Sequence, residues 1–268
     1  MQSNYWHKQT PEQPLFPDLL WSRPEHKAQA GKLGIIGGNV HGFAAAAEAY
    51  AEAGKAGIGT ARVLLPDSLQ KTVGRIFAAG EYAPSTPSGS LSQRALAETL
   101  ELANWGDGLL IAGDLAHNSE TAILLEKFSH NYAGQLTLTK DAADYFTPSP
   151  QNILQRPNTL LVISFAQLQK LAIGAHFSQA FTFDMDLLRL LENLHEFSLR
   201  HQPHIIVKHL QNIIVAVNGQ INTTKLTEDM PTWRVKTAAG AAVWWLQNPA
   251  KVFEALTTAL TQVNEPLS

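Results

Sequence analysis

From residue 32 onward, short apolar runs alternate with longer stretches whose apolar positions recur every three or four residues. The short runs predict strands over 32–36, 59–65, 109–112, 135–139, 159–163, 204–208, 213–217 and 220–224, since an uninterrupted apolar run suits a strand buried on both faces. The periodic stretches predict helices over 42–56, 67–78, 91–104, 119–131, 165–172, 184–201, 237–247 and 250–263. Such alternation implies parallel βαβ units with helices on both faces of one sheet. Asn218-Gly219, between two β-branched runs, is a two-residue hairpin signal that adds antiparallel strands near the end. The expected fold class is α/β: three layers around a mostly parallel central sheet.

Two segments break the alternation. Residues 1–31 carry Pro11, Pro14, Pro17 and Pro24 among Trp6, Phe16, Leu19, Leu20 and Trp21. This predicts an extended arm docked by apolar anchors, with Phe16, Leu20 and Trp21 buried, ahead of a single domain over 32–268. Segment 80–90, rich in Gly, Pro and Ser, is expected to be a flexible loop over a cleft.

Composition narrows the function classes. The chain of 268 residues is 45% hydrophobic and 16% charged, which suits an ordinary folded core. A net charge of −3 gives no support to nucleic-acid or anionic-membrane partners. There is no cysteine, which removes disulfides, thiolate catalysis and cysteine-ligated metals. No run approaches the roughly 18–20 apolar residues of a membrane span, and Met1 to Lys8 does not read as a signal peptide. The expectation is a cytoplasmic protein.

Candidate chemistry gathers where strands end. Lys32-Leu33-Gly34-Ile35-Ile36-Gly37-Gly38-Asn39 reads as strand, tight turn and helix start. Glycines there admit a ligand close to the backbone, free N–H groups at the helix start attract an anion, and Asn39 is a candidate cap for the helix from Gly42. Gly57-Ile58-Gly59-Thr60 is either a second loop on the same cleft or a helix C-cap. Asp114, after Ile111-Ala112-Gly113, is open between an acid/base or metal-water role and a turn or cap role. Lys140-Asp141-Ala142-Ala143-Asp144 offers a cation and two carboxylates, read first as helix caps. Lys208 closes a strand where it can reach a phosphate. His201 and His204 lack a third ligand for zinc, and no metal is expected. The leucines of 184–201 suit a core or an oligomer face, and one of Trp244 and Trp245 is expected to face a ligand or neighbouring subunit.

Together these pieces resemble the ribokinase-like superfamily, specifically the ADP/ATP-dependent NAD(P)H-hydrate dehydratases. That family runs a strand into Gly-Gly-Ser, an Ala-rich helix, then Gly-x-Gly-Leu-Val-Thr-Val and a proline; here stand Gly37-Gly38-Asn39, helix 42–56 and Gly57-Ile58-Gly59-Thr60-Ala61-Arg62-Val63 up to Pro66. Its Asp-Ala-Leu-Val-Ile-Gly-Pro-Gly-Leu-Gly looks like Asp107 to Ala116, its Asp-Ala-Asp-Ala-Leu-Asn-Leu-Leu like Thr139 to Phe146, and its Val-Leu-Lys-Gly like Ile206-Val207-Lys208-His209. The resemblance covers about 32–260 and implies a ribokinase-like fold.

The departures fall on the chemistry. The family's His-Pro-Gly-Glu is matched by Ser164-Phe165-Ala166-Gln167. Its Gly-Gly-Ser-Gly-Asp, which supplies the anion hole and the base for phosphoryl transfer, is matched by a stretch from Pro231 to Gly240 with no aspartate. The expected protein has lost phosphoryl transfer and serves as a nucleotide-binding or regulatory member; the alternative is an active dehydratase or small-molecule kinase with its base moved to Asp114 or Asp141. The resemblance implies ADP or ATP with Mg, or NAD(P)H or its hydrate, as ligands, held by Gly37, Gly38, Asn39, Gly113, Lys208, Arg234 and Lys236. A homo-oligomer is the expected assembly. Trp233 or Arg234 is expected to occlude a helix start near Thr237.

Overall fold

The computed structural model describes residues 4–226 and 233–262. Their elements in chain order are β1 (Trp6–Gln9), α1 (Pro17–Trp21), β2 (Lys32–Gly37), α2 (Ala44–Lys55), β3 (Thr60–Pro66), α3 (Gln70–Val73), β4 (Gly80–Ala83) and α4 (Leu96–Trp105). There follow β5 (Gly108–Gly113), α5 (Ser119–Asn131), β6 (Gln135–Thr139), α6 (Asp141–Asp144), α7 (Gln151–Leu154), β7 (Thr159–Ile163) and α8 (Phe165–Gly174). The chain continues with α9 (Leu187–Arg200), β8 (His204–His209), β9 (Asn212–Val217), β10 (Gln220–Lys225), α10 (Trp233–Gln247) and α11 (Val252–Ala259).

The ten strands form one sheet in the order β1-β10-β9-β8-β7-β6-β5-β2-β3-β4. Every pairing is parallel except those of β9 with β8 and with β10, so β9 alone runs against the rest. The β9–β10 turn is the expected hairpin: Asn218 at φ 47° and Gly219 at φ 83° both lie in the left-handed region that a type I′ turn needs.

Alternation along the strands builds two cores. In β5, Leu109 and Ile111 join the layer that includes α4, α5, α8 and α9, while Leu110 and Ala112 join the layer of α2, α10 and α11. Ala45, Ala46, Ala49 and Ala53 of α2 and Ala238, Ala239, Ala241 and Ala242 of α10 are buried, and the two helices pack against each other and the sheet. This is the expected three-layer α/β architecture.

The N-terminal arm is part of the sheet, because β1 adds in parallel to the edge of β10. Its anchors differ from those expected. Leu19 is buried and Phe16 and Leu20 are half-buried against the α11 layer, whereas Trp21 is 89% exposed. On the single turn of α1, positions 16, 19 and 20 share one face and position 21 points away. Segment 80–90 is not loose either. It opens with edge strand β4, and then Thr86 N–H donates to Ser90 O at 2.7 Å and Val40 N–H to Gly89 O at 2.9 Å. Trp244 and Trp245 are both buried, contrary to the expectation that one faces outward: Arg23 lies over Trp244 and His204 meets Trp245 edge-on. Helix 67–78 contracts to a 3-10 turn at 67–69 and the short α3. No helix is long and apolar enough to cross a membrane among the described residues.

Candidate functional site

From β2 the chain winds outward through β3 and β4 on one side; from β5 it winds outward through β6, β7 and β8 on the other. Where the winding reverses, the carboxyl ends of β2 and β5 border a crevice, the usual ligand position in open α/β sheets. The pairing register shifts between Ile36 and Gly37 at this point, and Gly38 N–H donates to Gly113 O at 3.0 Å.

Gly37 and Gly113 are also required by the protein's own packing. A Cβ on Gly37 would lie 2.7 Å from the Gly113 carbonyl oxygen, and one on Gly113 would lie 2.7 Å from Asp141 Oδ1. Gly113 also holds φ at 104°, which a side chain disfavours.

Asn39 does not cap α2, whose N-cap residue is Phe43. Asn39 Nδ2 donates instead to the Asp114 carbonyl at 2.6 Å, while its Oδ1 accepts from His41 N–H at 2.8 Å. The capping role falls to Asp114, which reaches across the crevice: Oδ2 accepts Ala45 N–H of the first turn of α2 at 2.8 Å. The helix-start amide expected to face an anion therefore already has one, belonging to the protein. Asp114 Oδ1 meets the Lys140 ammonium at 2.5 Å, so both carboxylate oxygens are engaged.

Asp141 ties the next loop. Its Oδ2 accepts Leu115 N–H at 2.7 Å, whereas Oδ1 is buried without a partner. Burial chiefly, helped by the neighbouring Asp114 charge, raises its pKa above the ordinary carboxylate value against the opposing pull of the Leu115 N–H, the Asp114 N–H and Lys140. Asp114, Ala116 and Lys140 all hold positive φ, at 59°, 58° and 52°. Each such residue stores strain, and clusters of them occur at functional sites. The Tyr145 hydroxyl donates to the Ala116 carbonyl and accepts Asn118 N–H, locking the same turn.

The network continues toward β7. Gln167 Nε2 donates to the Lys140 carbonyl at 2.7 Å, and its Oε1 accepts Ser164 N–H at 3.0 Å in a capping box that starts α8. Arg234, in the first turn of α10, lies 3.4 Å from the same Oε1. Hydrogen bonds thus run Asn39–Asp114–Lys140–Gln167–Arg234 across four strand ends. Asn39, Asp114, Asp141 and Arg234 stand out in the sequence and Lys140 stands there as a cation, but its pairing with Asp114 and the role of Gln167 do not; the Ser-x-x-Gln capping pattern is the available signal for Gln167.

The remaining expected residues are less central. Lys208 is half-buried on β8, where Val207 pairs with Ile163 at the end of β7, about 14 Å from β5 by three strand spacings. Lys236 is half-buried in the first turn of α10. That helix already includes Trp233, so Thr237 lies buried inside it and is not its start; Pro231 and Thr232 lie outside the described residues. Gly57 belongs to the opposite end of the sheet. It ends α2 at φ 85°, with Ile58 N–H bonded to Ala53 O and Gly57 N–H to Gly54 O, which is a helix C-cap and excludes the second-loop reading. The 57–61 stretch lines a hollow of about 610 Å³ with Tyr50 and Pro24, away from the crevice. His201 and His204 form no metal site: among the described residues, no group of three or more His, Cys, Asp or Glu is placed to hold an ion.

No protein-family model matches the chain, and no curated protein matches it in sequence. Solved structures do match. A ribokinase-like superfamily protein from Enterococcus faecalis superposes with a TM-score of 0.71 at 14% identity, over 97% of this chain and 87% of that one. An ADP/ATP-dependent NAD(P)H-hydrate dehydratase from Bacillus subtilis, co-crystallized with ATP and Mg2+, gives 0.62 at 12% identity over 92% and 86%. Adenosine kinase from Anopheles gambiae, in complex with a bis-adenosine tetraphosphate, gives 0.54 at 8% identity over 97% and 94%. The fold is ribokinase-like, and identities this low speak to fold alone.

Proposed function

We propose that this ribokinase-like chain binds a nucleotide or dinucleotide at the carboxyl ends of β5 to β8 and does not catalyse phosphoryl transfer. The observation that carries the reading is the commitment of Asp114. A catalytic base needs an oxygen free to take the acceptor's proton. Asp114 instead gives one oxygen to the start of α2 and the other to Lys140. The first turn of α10 supplies Trp233, Arg234 and Lys236 and contains no acidic residue. These cations suit phosphate oxygens, and neither replaces a carboxylate base near neutral pH. Asp114 offers magnesium no free carboxylate oxygen, since Oδ1 holds the Lys140 ammonium and Oδ2 the Ala45 N–H, so an ion carried by a nucleotide would rest chiefly on phosphate oxygens and water.

Fold likeness to a dehydratase co-crystallized with ATP and to a kinase holding an adenosine nucleotide supports the choice of ligand class. A second reading keeps catalysis and moves the base to Asp141, whose raised pKa and unpartnered Oδ1 are features of a general base. Against it, that oxygen is packed at Gly113, away from solvent.

Thermal-shift titration with ADP, ATP, NADH and NADPH tests the binding claim, because a ligand that prefers the native state raises its apparent stability. Stabilisation by at least one of them, reduced in Arg234→Ala, is the expected result. No shift with any of the four would reject the reading.

A further inference from the structure

Beside Gln167 stands an aromatic cluster that the switch-point network does not use. Phe165 opens α8 directly after Ser164 and is buried. Phe183, in the connection between α8 and α9, packs on Phe165 at a centroid distance of 4.9 Å and remains 65% exposed. His209, at the end of β8, meets the same Phe165 ring at 5.1 Å. It is only 6% exposed, yet its Nε2 has no hydrogen-bond partner.

An exposed aromatic face is unremarked on many surfaces, and a buried imidazole nitrogen without a partner carries a desolvation cost. Side by side, the two describe one complementary ligand: a planar ring whose face stacks on Phe183 and whose polar edge exchanges a hydrogen bond with His209 Nε2. That nitrogen is covered in the present conformation, so the ring enters by displacing a side chain, and Phe183 is the exposed member of the cluster. The location supplies the rest of the ligand. Lys208 directly precedes His209 in β8, and Gln167, two residues beyond Phe165, contacts Arg234.

We infer that Phe165, Phe183 and His209 form a shelf for the heteroaromatic ring of the bound nucleotide, whose phosphates lie toward Arg234 and Lys208. The inference rests on the nucleotide reading proposed above and assigns its ring-binding part. None of the three residues was expected from sequence to bind a ligand.

Isothermal titration of ATP, NADPH and inorganic tripolyphosphate against the full chain, Phe183→Ala and Phe183→Trp tests it. Stacking of one base contributes about 1–3 kcal/mol, so Phe183→Ala is expected to weaken ATP or NADPH roughly 5- to 150-fold. Tripolyphosphate, which has no ring, should bind the alanine variant as it binds the parent, and Phe183→Trp should retain nucleotide affinity. Nucleotide affinity within twofold of the parent in Phe183→Ala overturns the shelf, as does a parallel loss of tripolyphosphate. A parent that binds tripolyphosphate but neither nucleotide overturns the shelf while leaving the anion site standing. A parent that binds none of the three rejects the nucleotide reading and the shelf with it.

Discussion

Asp114 caps a helix whose bonded amide lies 69 positions earlier in the chain: its Oδ2 accepts Ala45 N–H at 2.8 Å from across the β2–β5 crevice. The residue at the N-cap position of α2, Phe43, makes no side-chain cap bond. A single carboxylate therefore joins the two strand ends, completes the helix start and neutralises Lys140.

Asp114→Ala should destabilise the fold by about 1–3 kcal/mol, combining a lost cap with a partly buried lysine deprived of its partner. Asp114→Asn, which can still accept the Ala45 N–H, should cost less. Urea unfolding of the three proteins at neutral pH measures this; equal stability of Asp114→Ala and the parent would mean that the cap is idle.

Asp141 has a folded-state pKa raised chiefly by burial. The sign follows from proton binding: between the ordinary carboxylate value and the raised one, the folded state holds more proton than the unfolded state, so stability falls as pH rises through that window. Asp141→Asn should therefore match or exceed the parent's stability at pH 7, with the difference shrinking as pH falls toward the ordinary carboxylate range. Melting curves between pH 4 and 8 on both proteins decide it. A variant that is much less stable at pH 7 would show that the charge of Asp141 is needed.

His204 has the opposite linkage. Burial lowers its pKa from 6.5 to about 4, with its ring against Trp245 and its Nδ1 unpartnered. The unfolded chain takes up a proton first, so stability is fully present above about pH 6.5 and is lost as pH falls toward 4, with a slope approaching one proton. His204→Phe should flatten this part of the stability profile and cost little at pH 7. An unchanged slope in the variant would assign the acid sensitivity elsewhere.

The arm predicts a contrast between neighbours. Leu19→Ala removes a buried anchor and should cost about 2–4 kcal/mol. Trp21→Ser changes an exposed ring and should stay within about 0.5 kcal/mol. Denaturant midpoints of the two variants compare them directly, and a large loss in Trp21→Ser would place that ring against a partner outside this chain.

The eight strands expected from apolar runs all form, because a run such as Leu33 to Ile36 or Leu160 to Ile163 has no other way to hide both faces. The missed strands, β1 and β4, are short edges whose pairing with β10 and β3 depends on distant segments rather than on local pattern. Trp21 was misplaced because an anchor-rich composition does not reveal which side of a single helical turn meets the body. The site was legible as a set of strand ends but not as a network. Asn39 looks like the local cap of α2, and only the folded chain brings Asp114 into that role. Lys140 and Gln167 acquire meaning through partners 26 and 27 residues away in sequence.

The claim of binding without phosphoryl transfer is met most directly by 31P NMR of ATP mixed with the protein, magnesium and NADH hydrate. The account predicts phosphate resonances that shift or broaden with added protein and keep their summed intensity, with no inorganic phosphate or ADP growing in over hours. Removing one preorganised oxyanion-hole donor from an enzyme typically costs about 2.7–4 kcal/mol in the barrier, and a phosphoryl-transfer site depends on such electrostatic groups in the same way. Phosphate that accumulates with enzyme concentration, and stops accumulating in Asp141→Asn, would contradict the account and identify Asp141 as a working base; an unperturbed ATP spectrum would contradict the binding half.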